Sequence, residues 1–507
     1  MDLSLASYFD LLLYSLSMWY VIIPAVLAGV LMGAIPGFSA ANTIIMLLPL
    51  TLVLDVHVAL TFMVALYCAS QLGGGIPAIL LNIPGTGGAA ATMLDGHPMA
   101  QRGLASKALA LSFTASVIGG LLTSLITLAS LPLLSHIGYY VHSPELVVVM
   151  LFGLALIAAI AADDMLKGLI AGALGLLLGA MGADHIYATP RGTFGLLSLF
   201  DGVPLVPALI GLFAISEAFI MLEQGKGAVA GDNKDVVTPS WSRALHDVLA
   251  CFRHWWLILR SSVLGLVIGV LPGAGAPIAA FVAYQQARAF SKTPEKFGTG
   301  AEEGIIAPEA ANNGVTTGAM VPLLALGIPG GETAAVMMVV LQFQGIPFGP
   351  RLFVQDPTLA YGVIMSMFVA YVFMLVMIFP LTRYLSRITL IPNYYMAPLI
   401  VAFTLVGAFV PRGFMDDIAI AVVFGIIGYI ARKTGYHVAA ILIGVILGPL
   451  IEKSFILSMR LSGNDVGVFF SSPITIILWA MLAATLIVPL LLKKRRQRND
   501  RRAGLQY

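Results

Sequence analysis

The chain has 507 residues, 59% hydrophobic and 10% charged, with 27 basic and 25 acidic residues and a formal net charge of +2. A soluble domain carries about 25% charged residues, and a soluble fold of this size could not keep so much apolar surface away from water. Composition therefore excludes a cytosolic enzyme, a secreted domain and a disordered chain, and points to an all-α polytopic membrane protein.

A span needs about 20 apolar residues. In chain order such runs cover 11–35, 58–83, 105–134, 146–160, 166–181 and 203–222. They resume at 255–271, 305–328, 359–380, 395–410, 418–430, 438–451 and 474–492. Shorter apolar pieces at 44–54, 278–290 and 333–343 read as half-helices or re-entrant arms. The expectation is about 12 transmembrane helices plus these broken segments. Strand-like alternation is absent, which removes a β-barrel. No Lys or Arg precedes Arg102, so the apolar N-terminus lacks a basic leader region and reads as a retained span. Lys493, Lys494, Arg495, Arg496, Arg498, Arg501 and Arg502 follow the last run, and beside a span such a block marks a cytoplasmic end sooner than a nucleic-acid site. Cys68 and Cys251 give no disulfide framework and no metal-ligand spacing.

These runs divide the chain into a first membrane repeat (1–224), a polar linker with an interfacial helix (225–254), a second repeat (255–470), a final span (471–492) and a basic tail (493–507). Trp241, Trp255 and Trp256 stand where interfacial aromatics belong. The duplication rests on phrases that recur in order. GVLMGAIPGFSAA from Gly29 matches GLVIGVLPGAGAP from Gly265, with Pro36-Gly37 on Pro272-Gly273. GGIPAILLNIPG (Gly74 to Gly85) matches GAMVPLLALGIPG (Gly318 to Gly330) at an offset of 245. DGHP at Asp95 answers QGIP at Gln344, and Asp163-Asp164 answers Asp416-Asp417. The loop before Val58 has no basic residue, whereas its counterpart carries Arg288, Lys292 and Lys296. Conversely Arg102 and Lys107 face a counterpart with only Arg351. Opposite basic bias at equivalent loops predicts inverted repeats.

Pro-Gly pairs interrupt both halves at matching places: IPGFSAANT, NIPGTGG, LPGAGAP and GIPGGET. Breaks in corresponding spans point to a transporter's substrate site. Each frees backbone N–H groups and sets the positive end of a half-helix at depth, ready for carboxylate oxygens. Kinks and tight-packing glycines are the competing reading. Small polar residues flank each break: Ser39, Asn42, Thr43, Asn82, Thr86, Asn312, Asn313, Thr316, Thr317, Glu332 and Thr333. Their hydroxyls and amides, with exposed carbonyls, can bind carboxylates and also coordinate Na⁺, or simply cap helices. Glu309 and Glu332 are ionisable groups beside the breaks and candidates for cation or proton coupling, set against structural pairing. Walker A, HExxH and paired CxxC sequences are absent, and Ser39 has no histidine deep in a span to activate it. An intramembrane enzyme is therefore disfavoured.

With those motifs in place, the chain resembles the large membrane subunit of the tripartite tricarboxylate transporters. PGFSAANTIIMLLPLT, GGIPAILLNIPGTGGAAATMLDGHPMA, LPGAGAPIAAFVAY and PEAANNGVTTGAMVPLLALGIPG carry the resemblance, which runs over nearly the whole chain. It implies a multi-pass protein of the bacterial inner membrane, importing carboxylates with Na⁺ or H⁺ as the coupling ion and no cofactor. It also implies two partners, a small four-span membrane subunit and a periplasmic substrate-binding protein. Carried over by position, Gly37, Ser39, Asn42, Asn82, Gly85, Thr86, Gly273, Gly275, Asn312, Asn313, Gly330 and Gly331 would line the substrate site. Thr43, Thr316, Thr317, Glu309, Glu332 and Thr333 are the candidates for cation coupling. The chain departs from the family pattern at Gly87, where Pro is frequent, and at Gly331-Glu332. An ionised Glu332 would repel a trianion, which favours a less charged acid or a proton-coupled step. The alternative from a different class is a standalone ion channel or exchanger using the same breaks.

Overall fold

Helices follow the apolar runs and stop where Pro, Gly and Asn interrupt them. The computed structural model describes residues 5–35, 38–51, 53–137, 140–160, 165–183, 189–224, 241–346, 349–384 and 393–502. In the first repeat the helices that build the site are α1 (Trp19–Gly33), α2 (Ala40–Thr51), α3 (Val56–Gly73), α4 (Gly75–Leu81) and α5 (Ala105–Ile137). In the second they are α6 (Trp255–Val270), α7 (Gly275–Phe290), α8 (Glu303–Gly318), α9 (Met320–Leu326), α10 (Glu332–Phe343) and α11 (Pro357–Tyr384). Among the described residues, six helices are long and apolar enough to cross a membrane, or seven if the pair bent by 64° at Met18 is one span. Ala40–Thr51 and Glu332–Phe343 belong to a shorter apolar class. These hold two of the three pieces expected to be half-helices or re-entrant arms; the third, 278–290, lies in the 16-residue α7. Asp163-Asp164 and most of the linker lie outside the described residues, and the described part of the linker holds a helix over Trp241–Cys251.

The chain forms two compact units. One holds residues 1–138 and 204–430, the other 139–203 and 431–507. Each repeat thus contributes to both. In the smaller unit the helices Met165–Gly179 and Val438–Leu461 touch through glycine: a Cβ on Gly444 would stand 2.6 Å from the Gly172 carbonyl. Arg191 grips Glu452 with two nitrogens, at 2.8 and 2.9 Å, and Trp479 Nε1 donates to the Phe469 carbonyl.

The larger unit is assembled from the same contacts used twice. Its α1 packs on α3, with Gly29 against Leu66 and Gly33 against Ser70. In the second repeat α6 packs on α8, with Gly265 against Ala311 and Gly269 against Val315. Each pair advances together along both helices, so the members are parallel, and the intervening α2 or α7 returns the chain to its starting side. Only glycine lets the backbones meet so closely. Both α4 and α9 then end on a left-handed residue, Asn82 at φ 57° and Gly327 at φ 72°. That geometry is natural for Gly and tolerated by Asn. Ile83 N donates to the Pro77 carbonyl at 3.3 Å and Ile328 N to the Pro322 carbonyl at 3.2 Å. One step on, Gly85 N reaches the Gly74 carbonyl at 3.1 Å and Gly330 N the Ala319 carbonyl at 3.3 Å. The two halves share their backbone hydrogen bonds as well as their phrases.

At the rim of this unit, Glu302 accepts from Lys107 Nζ at 2.5 Å and lies 3.5 Å from His254 Nε2. The His254 hydrogen bond and then the Lys107 ammonium outweigh burial and hold its carboxyl at about 2, below the ordinary 4.5.

Two predictions follow from this packing. A Cβ on Gly269 would meet the Val315 Cα and carbonyl at 2.9 Å, so Gly269→Val should cost about 1–3 kcal/mol through overpacking. Thermal unfolding in detergent checks it, and an unchanged midpoint contradicts it. Because the folded pKa of Glu302 is depressed, its stabilisation is present above pH 4.5 and disappears as pH falls toward about 2. The parent should therefore lose more of its midpoint across that window than Glu302→Gln does; parallel curves would count against the pairing.

Candidate functional site

The first break is capped by its own sequence. Ser39 Oγ accepts the Asn42 backbone N–H at 3.2 Å, and Thr43 Oγ1 donates to the Ser39 carbonyl at 3.1 Å. This starts α2 and places Asn42 in the interior, 1% exposed, with neither Oδ1 nor Nδ2 hydrogen-bonded. In the second break of the same repeat, Thr86 is 4% exposed and its Oγ1 also has no partner. Two residues on, Gly88 lies flat against the Asn312 amide, leaving no room for a side chain. Asn312 is fully buried on α8, again with both amide atoms unpartnered. A buried, unsatisfied polar group costs about 1–3 kcal/mol. Two whole amides and a hydroxyl left so are expensive unless a ligand completes them.

The breaks of the two repeats meet crosswise. A Cβ on Gly87 would touch Pro277 at 2.9 Å, which brings the second break of repeat one to the first break of repeat two. In return, Ser39 Oγ from the first break of repeat one donates to Glu332 Oε1 in the second break of repeat two at 3.5 Å. Within repeat two, Gly273 N donates to the Gly330 carbonyl at 3.1 Å. The same exchange recurs farther out. Asp95 accepts from the Gly300 and Ala301 N–H groups and the Tyr284 hydroxyl of repeat two. Its counterpart Gln344 donates to the Thr51 carbonyl of repeat one at 3.3 Å. Helices α2, α7 and α10 all begin at these crossings, with their first N–H groups facing the breaks.

Several expected residues have other work. Asn82 is exposed and serves as the left-handed cap of α4. Asn313 donates to the Glu309 carbonyl at 3.3 Å and accepts from the Tyr371 hydroxyl at 3.2 Å. Thr316 Oγ1 bonds back to the Asn312 carbonyl, and Thr317 pairs with the hydroxyls of Thr123 and Ser124 on α5. Gly85 and Gly330 pack against the Gly33 and Gly269 carbonyls. Gly275 opens α7 at φ 65°, and Gly331 is extended ahead of Glu332. Thr333 is buried beside Tyr67. Gly37 lies outside the described residues.

Glu309 is fully buried. Thr92 Oγ1 donates to its Oε1 at 2.8 Å and Ser116 Oγ to its Oε2 at 2.7 Å. Tyr67, Gly88, Thr92, Ser112, Ser116 and Tyr371 were not singled out from the sequence. The repeat alignment held a signal for two of them: at the offset of 245, Tyr67 corresponds to Asn312 and Gly88 to Thr333.

Comparison with known proteins places this geometry. The family model described as the tripartite tricarboxylate transporter TctA family matches residues 19–443. An uncharacterised 52.8 kDa protein from the TAR-I ttuC' 3' region of Agrobacterium vitis is 33% identical over 474 residues, covering 94% of this chain and 93% of that protein. A second uncharacterised protein, from the TAR-II ttuC' 3' region of the same organism, is 34% identical over 236 residues, 46% of this chain and 98% of its own length. No solved structure matches. The chain belongs to the tripartite tricarboxylate transporter TctA family.

Proposed function

We propose that this chain is the permease subunit of a binding-protein-dependent secondary transporter that imports carboxylates with a cation gradient across the bacterial inner membrane. It would work with a small four-span membrane subunit and a periplasmic binding protein, as its family membership supports. One observation carries the substrate reading: the unpartnered amides of Asn42 and Asn312 and the Thr86 hydroxyl are buried beside crossed helix breaks. Amide N–H, hydroxyl and helix N-terminal donors suit carboxylate oxygens and avoid placing a fixed cation in hydrocarbon, where it costs several kcal/mol. Glu332, within reach of Ser39 in the same crossing, favours a dicarboxylate over a fully ionised tricarboxylate by repulsion.

The reading includes inverted repeats and about 12 crossings once the shorter helices are counted. Opposite directions of equivalent helices support the inversion. Along α3 and α4 the chain passes Thr316 at Tyr67 and Glu309 at Gly75, so it descends α8 as it ascends its own helix. Likewise α5 meets Tyr371 at Gly120, and at Leu128 it meets Tyr8, whose ring stacks edge-on with Tyr361. Helix α11 therefore runs against α5, its counterpart. Repeats crossing the bilayer in opposite senses around one central site are the framework for alternating access.

Labelled di- and tricarboxylate uptake into proteoliposomes carrying all three components tests the assignment. Asn312→Leu keeps side-chain size but removes the amide. It should lower uptake about tenfold or more, because a site built to hydrogen-bond its ligand discriminates strongly once a donor is lost. Its unfolding midpoint should stay level or rise, because the lost amide had no partner in the unliganded protein. Uptake at the parental rate, or a lowered midpoint with normal uptake per folded protein, would place the site elsewhere. Uptake of inorganic ions without any carboxylate would favour the channel or exchanger instead.

A further inference from the structure

The second half of the molecule contains a buried acid that the duplication does not explain. The counterpart of Glu309 at the 245 offset is Val64, and that of Thr92 is Met337. The acid and its hydroxyl partner are therefore present at one of the two equivalent places. Glu309 is fully buried, and its hydrogen-bond partners Thr92 and Ser116 are neutral hydroxyls, themselves fully buried. A third hydroxyl, Ser112 Oγ, is buried beside the same carboxyl. It and Glu309 Oε1 both crowd the α face of Gly75, 2.7 and 3.0 Å from where a Cβ would stand.

Charged and titratable groups on the surrounding elements are engaged elsewhere. Lys107 of α5 pairs with Glu302, and Asp95 is held by Gly300, Ala301 and Tyr284 of α7. Arg260 of α6 lies over the Phe290 ring at 4.9 Å. Tyr371 of α11 donates to Asn313, while Tyr67 and Cys68 of α3 face the Thr316 turn and Tyr371. No ion pair joins a basic side chain to Glu309 among the described residues. An ionised carboxylate in such surroundings lacks the counter-charge that its desolvation demands. A carboxylic acid needs one further acceptor, and the buried Ser112 oxygen stands beside it.

From these contacts we propose that Glu309 is the proton-carrying group of the transport cycle: the coupling ion is H⁺, bound as the Glu309 carboxylic acid. The inference rests on the carboxylate-permease reading above and identifies its ion. The chemistry is one reversible O–H bond, formed with a proton from one aqueous side and broken toward the other. Thr92 and Ser116 are positioning residues that orient the carboxyl. Coupling to substrate is short-range. Asn312 lies three residues beyond Glu309 on α8, hence on the same face. The segment that lays Gly88 on Asn312 also lays Thr92 on Glu309. A carboxylate drawing Thr86 and Asn312 together moves the lid of the acid as well.

Three measurements test this on the complete three-component transporter and on the purified full chain. Glu309→Gln should lose carboxylate accumulation driven by a pH gradient about tenfold or more, yet keep gradient-free exchange of labelled for unlabelled carboxylate. Infrared spectra of the purified chain at neutral pH should contain a protonated carboxyl band that Glu309→Gln removes, a readout needing no substrate. Ser116→Ala, which deletes a donor to the ionised form, should move the disappearance of that band to higher pH. Gradient-driven accumulation by Glu309→Gln at the parental level overturns the proposal, as does an identical infrared spectrum. Accumulation that follows a Na⁺ gradient and ignores pH assigns the site to Na⁺ and overturns it too. If the parent exchanges no carboxylate but the band behaves as described, the substrate reading fails and the proton site stands.

Discussion

The structure depends on closing four interrupted helices without water. Inside a membrane every freed N–H and C=O needs an internal partner. The second break of each repeat finds it in the same way: the left-handed turn at Asn82 or Gly327, then the hydrogen bond from Gly85 to Gly74 or from Gly330 to Ala319. With the backbone so closed, the first turns of α7 and α10 and the side chains beside them are held at depth. The parallel glycine contacts of α1 with α3 and of α6 with α8 fix the distance at which those breaks can meet.

From that constraint the site acquires its character. Crossed breaks bring Gly87 to Pro277 and Ser39 to Glu332, so each repeat completes the other. The polar atoms left unmatched are amides and a hydroxyl, neutral groups whose burial without a partner costs less than that of a fixed charge. Under the proposed carboxylate reading, a protein with 10% charged residues would offer an anion several neutral donors. Glu309 breaks the symmetry of this arrangement, and it does so one helical turn from Asn312.

Much of this was legible in the sequence. The Pro-Gly phrases mark the breaks, and their order points to the duplication, because Gly and Pro leave a covalent signature wherever the backbone must turn. A few basic residues are the sequence's signal for the orientation of the repeats; the helix registers Tyr67–Thr316 and Gly75–Glu309 support the proposed inversion. Side-chain assignment was less legible. Asn312 and Asn313 are neighbours of identical type, yet one faces Gly88 and the other Tyr371. Asn82, expected at the site because it borders a break, forms the left-handed cap of α4 and is exposed. The hydroxyls around Glu309 come from residues 92, 112 and 116, which no local pattern joins to position 309. The parallel packing of α5 on α8 brings in 112 and 116, and the segment that lays Gly88 on Asn312 brings in 92.

A structure of the complete transporter with a dicarboxylate bound tests the central claim most directly. The account requires the carboxylate oxygens to lie about 3 Å from the Thr86 hydroxyl and the Asn312 amide, with the starts of α7 and α10 pointing at them. An anion bound through Lys or Arg side chains, with Asn312 still unpartnered, would contradict it.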